Sequence, residues 1–428
     1  MKFIFTSILF CFISLHSLLQ AQGILFSQSH ENGVYHSGDR ARVVLSIKDK
    51  STQVVTLKIQ QNFSSYTTEQ KNYTGDSLVI FDQVVNEPIT LVWEARTKTD
   101  SGWVGLIVNP ESYQPGTKRP ADLESFWNKQ KAALRALPVK VSSVEEPNSD
   151  PAFQCWNMEI NCTSAKPVRG YFAKPTKAAA KSLPIVINFH SAGVSGDWCK
   201  SKPAIAMRYA QMGKGALVFD LNAHGMLNAQ PQSYYDSLDK GELFRYAQIG
   251  ITNKDESYFL GMYQRLLRTI DYLTSLPEWD GKRILVIGES QGGGQSLVAA
   301  GLDNRVTAAV VTVPAMCDWG GTLVGRKGSW PYLFEAKQDR SVLEANLPYF
   351  DAAHLLKDSK ATIVAEIGLI DQTCPSSALY AALNQTKGKN IIVTAPYRAH
   401  HFTQSVYKGI WEAHVNKVKQ GFIYEYLR

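Results

Sequence analysis

Residues 284–300 read ILVIGESQGGGQSLVAA, and the fold is decided in this stretch. Its first four residues are aliphatic without polar alternation, the texture of a strand covered on both faces, and Leu297 to Ala300 resume an apolar helical pattern. Between them stands Gly288-Glu289-Ser290-Gln291-Gly292, a G-x-S-x-G pattern at a strand-to-helix junction. Such a turn is so tight that small residues must flank the serine, whose hydroxyl is left exposed above the sheet. Ser290 is therefore the candidate nucleophile. Glycine and serine are common in loops, so the motif takes its meaning from the strand before it and the helix after it.

Further continuous apolar runs lie at 185–189, 216–219, 308–313, 363–367 and 391–393, alternating with longer helical patterns such as 258–276. This texture predicts an α/β domain, a mostly parallel twisted sheet between helices. A serine hydroxyl needs a base to take its proton, and in this kind of sheet the partners follow in the order Ser, then Asp or Glu, then His. Asp371, just beyond the run at 363–367, and His400, after the last strand, are the candidates, both at the carboxyl ends of strands where open sheets place their sites. Two alternatives stand beside them: Asp371 as the cap of a helix beginning near Pro375, and His401 as the base in place of its neighbour. The other histidines, His30, His36, His190, His224, His354 and His414, do not follow a late strand and read as packed or surface residues. The oxyanion of a tetrahedral intermediate needs two amide donors. The N–H of Gln291 is one, and the loop Phe189-His190-Ser191-Ala192-Gly193 supplies the other, assigned to Ala192.

The chain has 428 residues, 44% hydrophobic, 11% aromatic and 19% charged, which excludes disorder and collagen-like repeats. Residues 1–22 combine a basic start, an apolar run and a small residue at Ala21, as in a signal peptide cleaved near 21–22; the run is too short and interrupted for a membrane span. Export to the periplasm or the medium is the expectation, and Phe10 before Cys11 argues against lipid attachment. Over 23–118, β-branched or aromatic segments at 43–47, 54–59, 78–81, 89–95 and 103–108, separated by Ser, Asn, Asp and Gly, predict a small antiparallel β-sandwich. Its Tyr66, Tyr73 and Trp103 admit a carbohydrate-binding role, although aromatics in a sandwich are more often core. A linker is expected at 112–120, and the α/β domain runs over 119–428, opening on a helix capped by Asp122.

Of six cysteines, Cys11 leaves with the signal, and Cys155, Cys162, Cys199, Cys317 and Cys374 lack metal-ligand spacing, so neither metal nor other cofactor is expected. A bridge between Cys155 and Cys162 would require a turn between them. The net charge of +7 is modest and its basic residues are scattered, which speaks against a nucleic-acid partner. A polyanionic glycan is compatible with it, and ordinary solvation is the plainer reading.

With these residues laid out, 120–424 resembles the acetyl xylan esterase and cephalosporin C deacetylase family of α/β-hydrolases. The resemblance is carried by Pro120-Ala121-Asp122 through Trp127, the helix leading to Pro277-Glu278-Trp279-Asp280, Gly288 to Gly293, Val313-Pro314 with Cys317-Asp318, Tyr349-Phe350-Asp351, Gly368 to Asp371 with Cys374-Pro375, and His400. It implies a Ser290–Asp371–His400 triad with oxyanion donors at Gln291 and Ala192. Two departures mark a divergent branch: Asn222-Ala223-His224 stands where the family shows Arg-Gly-Gln, and His400-His401 where it shows His-Glu. Secreted members with an extra amino-terminal β domain are similar in layout, and that branch includes pectin methylesterase.

The expected function is thus a secreted serine esterase that removes small ester groups from plant cell-wall polysaccharide through an acyl-enzyme, acetyl groups first and methyl esters of uronic acids second. A uronyl group on the serine would gain from a cationic or hydrogen-bonding wall, for which His190, Arg398, His401 and Lys200 are candidates. An oligomer is compatible with the family. A peptidase of the prolyl oligopeptidase type is disfavoured because so short an amino-terminal region cannot build a propeller, and a relict glycan-binding protein because every triad residue is present.

Overall fold

The computed structural model describes residues 23–428, so the signal segment expected at 1–22, with Cys11, lies outside the described residues. The first strands are β1 (Ile24–Gln28), β2 (Val34–Tyr35), β3 (Arg40–Ile47), β4 (Gln53–Gln61), β5 (Ser65–Tyr73), β6 (Leu78–Val84), β7 (Ile89–Arg96) and β8 (Ser101–Val108). They form a three-stranded sheet, β1-β3-β6, and a five-stranded sheet, β2-β8-β7-β4-β5. Alternate residues of β3, Ala41, Val43, Leu45 and Ile47, turn inward and meet Trp93, Val104 and Leu106 from the other sheet in one core. The pairs are antiparallel except β2 with β8, which run parallel. β5, with the sequence SYTTEQKNY, has no apolar alternation to announce it, because it is an edge strand held by β4 alone.

The second domain contains β9 (Val141–Glu146), β10 (Phe153–Ile160), β11 (Val168–Pro175), β12 (Leu183–Phe189), β13 (Leu217–Leu221), β14 (Trp279–Glu289), β15 (Ala308–Thr312), β16 (Thr362–Gly368) and β17 (Asn390–Ala395). They make one nine-stranded sheet in the order β17-β16-β15-β14-β12-β13-β11-β10-β9. From β13 through β17 neighbouring strands are parallel, and β12 and β13 are buried at every position, as continuous apolar runs require. The antiparallel strands β9, β10 and β11 add a flank that the apolar-run reading misses, because Asn157, Glu159 and Arg169 interrupt its hydrophobic pattern.

The helices Tyr258–Ser275 and Gln291–Leu302 cover one face, and Pro203–Ala210 and Lys417–Leu427 the other. The chain steps outward from β12 to β13 and returns on the other side of β12 as β14. Strand order reverses there, and a crevice opens at the strand ends.

One local expectation needs correction, and two further segments take a definite form. Asp122 precedes the helix Leu123–Ala136 but makes no cap hydrogen bond; its carboxylate accepts instead from the Tyr349 hydroxyl and pairs with Lys254 Nζ at 3.3 Å. The segment 112–120 is a strap more than a tether, since Gly116 N–H donates to Asp318 at 2.6 Å and a Cβ on Gly116 would stand 2.1 Å from the Gly320 carbonyl oxygen. Cys155 lies within β10 and Cys162 just past its end, with no turn to bring them together, and both are free thiols.

Candidate active site

β14 ends at Glu289 and a helix begins at Gln291, which leaves Ser290 to make the whole change of direction, at φ 54° and ψ −120°. A non-glycine residue in that region costs on the order of 1–3 kcal/mol and persists only if its surroundings over-determine it. Here they do: Ser290 N–H donates to the Thr312 carbonyl at 3.0 Å, and its own carbonyl accepts from Gly294 at 3.0 Å and Ala315 at 2.8 Å. The outer glycines are demanded by close approach. A Cβ on Gly292 would lie 2.2 Å from the Phe189 carbonyl oxygen, and one on Gly288 would lie 2.2 Å from the Gly292 carbonyl carbon.

The structure brings the three distant side chains together. Ser290 Oγ is 2.8 Å from His400 Nε2, and His400 Nδ1 is 2.8 Å from Asp371 Oδ2. They follow β14, β16 and β17, at the carboxyl ends of those strands. Asp371 Oδ1 also accepts from the Thr373 and Cys374 amides at 2.8 and 2.9 Å, so one carboxylate both ties the turn before the helix Ser376–Leu383 and faces the imidazole. His401 is exposed and stands edge-on to His400, ring centroids 4.7 Å apart. Ser290 itself is largely buried, at 8% exposure. In this arrangement Nε2 can accept the hydroxyl proton while the carboxylate balances the resulting imidazolium. Asp371, Cys374 and His400 also offer ligand atoms within 4.8 Å of one another. Asp371 and His400 use theirs on each other, and the Cys374 backbone N–H donates to the same carboxylate.

The Gln291 amide is the first of its helix and has no intrahelical acceptor, the position at which a helix presents donors to an anion. The loop after β12 crosses beside it. Ser191 Oγ donates to the Glu289 carbonyl at 3.2 Å, the Ala192 carbonyl accepts from Trp198 Nε1 at 2.8 Å, and Gly193, at φ +132°, directs its carbonyl to His224 Nε2 at 2.9 Å. Burial and the nearby Arg265 push His224 down to about 3, so the ring is neutral, with Nε2–H as donor and Nδ1 accepting from the Tyr258 hydroxyl at 2.7 Å. Tyr246 packs edge-on against His224 and donates to the Gln291 side-chain oxygen at 2.5 Å. His224 is thus a packed residue, as its sequence position suggested. What sequence reasoning did not anticipate is that it ties the Ala192 loop to the helix beginning at Gln291; the one signal was its place in the divergent Asn222-Ala223-His224 segment.

The expected cationic wall is largely engaged elsewhere. His190 is buried, with Nε2 3.0 Å from both Asp220 oxygens and Nδ1 3.3 Å from the Trp198 carbonyl. Arg398 lies 3.3 Å from Glu366 through Nε and 3.3 Å from Glu289 through Nη2. Both line a cavity of about 420 Å³ beside Glu289 that does not include Ser290. Lys200 Nζ donates to Gln232 at 2.6 Å. Of these candidates His401 alone stands open beside the triad, because the others met carboxylate or amide partners from segments remote in sequence.

The His190–Asp220 pair has a pH signature. Burial pulls the imidazole down, but the charge and hydrogen bond of Asp220, with the Trp198 carbonyl, leave it raised above its ordinary value. Raised in the folded state, this group stabilises fully below the unfolded pKa, and that stabilisation is lost as pH rises through the folded value. The Tm difference between the native protein and His190→Gln is therefore expected to be widest in acid and to narrow toward alkaline pH. A difference that widens instead would contradict the pairing.

A nucleophile turn, a buried acid–base pair and a parallel sheet opening at its carboxyl end define an α/β-hydrolase. The profile of the acetyl xylan esterase family (AXE1) matches residues 108–413, and the chain belongs to that family. It is a carboxylic ester hydrolase. It is 28% identical over 387 residues to acetyl esterase Axe7A of Xylanibacter ruminicola, a match spanning 88% of this chain and 86% of that one. Two solved structures share the fold at 23% identity: an acetyl xylan esterase from Paenibacillus sp. R4, at TM-score 0.59 over 72% of this chain and 98% of that one, and acetyl xylan esterase 1 from Thermoanaerobacterium sp. JW/SL YS485, at TM-score 0.60 over 74% and 98%. No helix among the described residues is long and apolar enough to cross a membrane.

Proposed function

We propose that this chain is an exported serine esterase that removes acetyl groups from a plant cell-wall glycan. The carrying observation is the unbroken hydrogen-bond chain from Ser290 through His400 to Asp371. In this reading His400 Nε2 takes the Ser290 proton as Oγ bonds to the acetyl carbonyl carbon, and the amides of Gln291 and Ala192 take up the oxyanion. Collapse breaks the bond to the sugar oxygen, which leaves with the proton from His400. Water then repeats the sequence on acetyl-Ser290, and acetate departs. Asp371 holds the imidazole tautomer throughout. The reading is supported by the family and by the printed names of its relatives; export rests on the composition of residues 1–22.

Methyl ester hydrolysis on a uronic acid is the second reading. It would place the uronyl group on Ser290 and release methanol, and it is disfavoured because His190 and Arg398 are held by Asp220, Glu289 and Glu366. Parallel incubation with acetylated xylan and methyl-esterified pectin is expected to release acetate from the first and little methanol from the second. Methanol without acetate would overturn the acetyl assignment and leave the serine route standing.

A further inference from the structure

The β domain meets the hydrolase domain at the two loops that carry Asp371 and His400. β17, from which the His400 loop departs, is the outermost strand of its sheet and only half-buried along most of its length, so its own domain supports that loop from one side. The other side is supplied by β8. Because β2 pairs with β8 at Ile107 and Val108 alone, the earlier part of that strand presents an open backbone edge. The 396–404 segment occupies it: Gly105 N–H donates to the Pro396 carbonyl at 3.0 Å, while Gln404 accepts from Trp103 N–H at 2.9 Å and donates to its carbonyl at 2.7 Å. His400 lies between these two clamps.

The Asp371 loop is seated on the same strand. A Cβ on Gly105 would stand 2.3 Å from the Leu369 carbonyl oxygen, and one on Gly33 would stand 2.7 Å from Leu369 Cδ1 and 3.1 Å from Pro396. Ile370 and Ala399, each next to a triad residue in sequence, share an apolar cluster with Phe63, Val92 and Trp103 of the β domain. Gln372 Nε2 donates to Gln60 at 3.0 Å.

We propose that the β domain is a positioning element of the active site, in which Trp103, Gly105 and the Phe63–Val92 cluster hold the neighbours of Asp371 and His400 and so set the spacing of acid and base. These residues act through Leu369, Ile370, Ala399 and Gln404 and do not themselves meet the reacting atoms. A displacement of about 1 Å in such a constellation costs on the order of 10²-fold in rate. The inference goes beyond the substrate assignment, because it concerns turnover of any ester.

The test uses the full chain and the small soluble ester p-nitrophenyl acetate, with the concentration of folded sites measured separately. Trp103→Ala and Gln404→Ala are each expected to lower kcat and kcat/KM together by about ten- to a hundredfold with KM little changed. Trp103→Phe, which keeps an aromatic ring in the cluster, is expected to restore most of the loss, and Tyr66→Ala, on the exposed edge strand β5, to leave turnover unchanged. Gly105→Ala should repeat the loss if it folds. Native kcat per folded site in both alanine variants would overturn the proposal, as would a loss confined to insoluble glycan with p-nitrophenyl acetate turnover intact, the mark of a carbohydrate-binding module. Absence of acetyl esterase activity in the native protein would instead refute the substrate reading, which keeps the two failures apart.

Discussion

Ser290→Ala is expected to lower kcat for acetate release by about 10⁵- to 10⁶-fold while the protein still folds. Among the described residues the Ser290 hydroxyl is placed to attack, its Oγ 2.8 Å from the nitrogen of a base already oriented by a carboxylate. Removing it deletes the covalent step and leaves the amide donors and substrate binding, which alone retain about 10³- to 10⁴-fold acceleration over water. The fold should tolerate the change because the strained backbone is held by main-chain bonds to Thr312, Gly294 and Ala315, none of which uses the side chain. Acetate release by titration, read beside the melting transition, checks both halves. Near-native turnover in the variant would move the nucleophile elsewhere.

The second large effect separates two adjacent imidazoles. His400→Ala is expected to cost about as much as loss of the nucleophile, because members of such a unit fail together, whereas His401→Ala should change kcat by no more than a few fold. Only His400 reaches both partners, Ser290 through Nε2 and Asp371 through Nδ1; His401 is exposed and touches the edge of its neighbour's ring. Collapse in His401→Ala with His400→Ala active would reverse the assignment. Comparable collapse in both would mean that the exposed ring has a part in turnover that its geometry does not suggest.

Much of the site was legible because its signals are local or ordered along the chain. The run at 284–287 is apolar at every position since parallel strands are covered on both faces, and the glycines around Ser290 follow from a turn in which helix and strand approach within carbonyl contact. Asp371 and the adjacent His400 and His401 stood out by their order after late strands. The flank of β9, β10 and β11 was not read, because half-solvated strands carry polar residues that break an apolar run. Arg398 and His190 have the residue types of an anion wall, yet their availability depends on Glu366, Glu289 and Asp220, which only folding brings to them.

By itself, then, the order of residues determined the layer architecture, the turn that presents Ser290 and the two short segments from which its partners come, since periodicity and small-residue spacing act within one element or between neighbours. The tertiary structure decided which imidazole faces the serine, which cations remain open and what braces the outermost strand. Those outcomes depend on side chains and strand edges from β8, β13 and β16 meeting across space, and no spacing along the chain encodes such contacts.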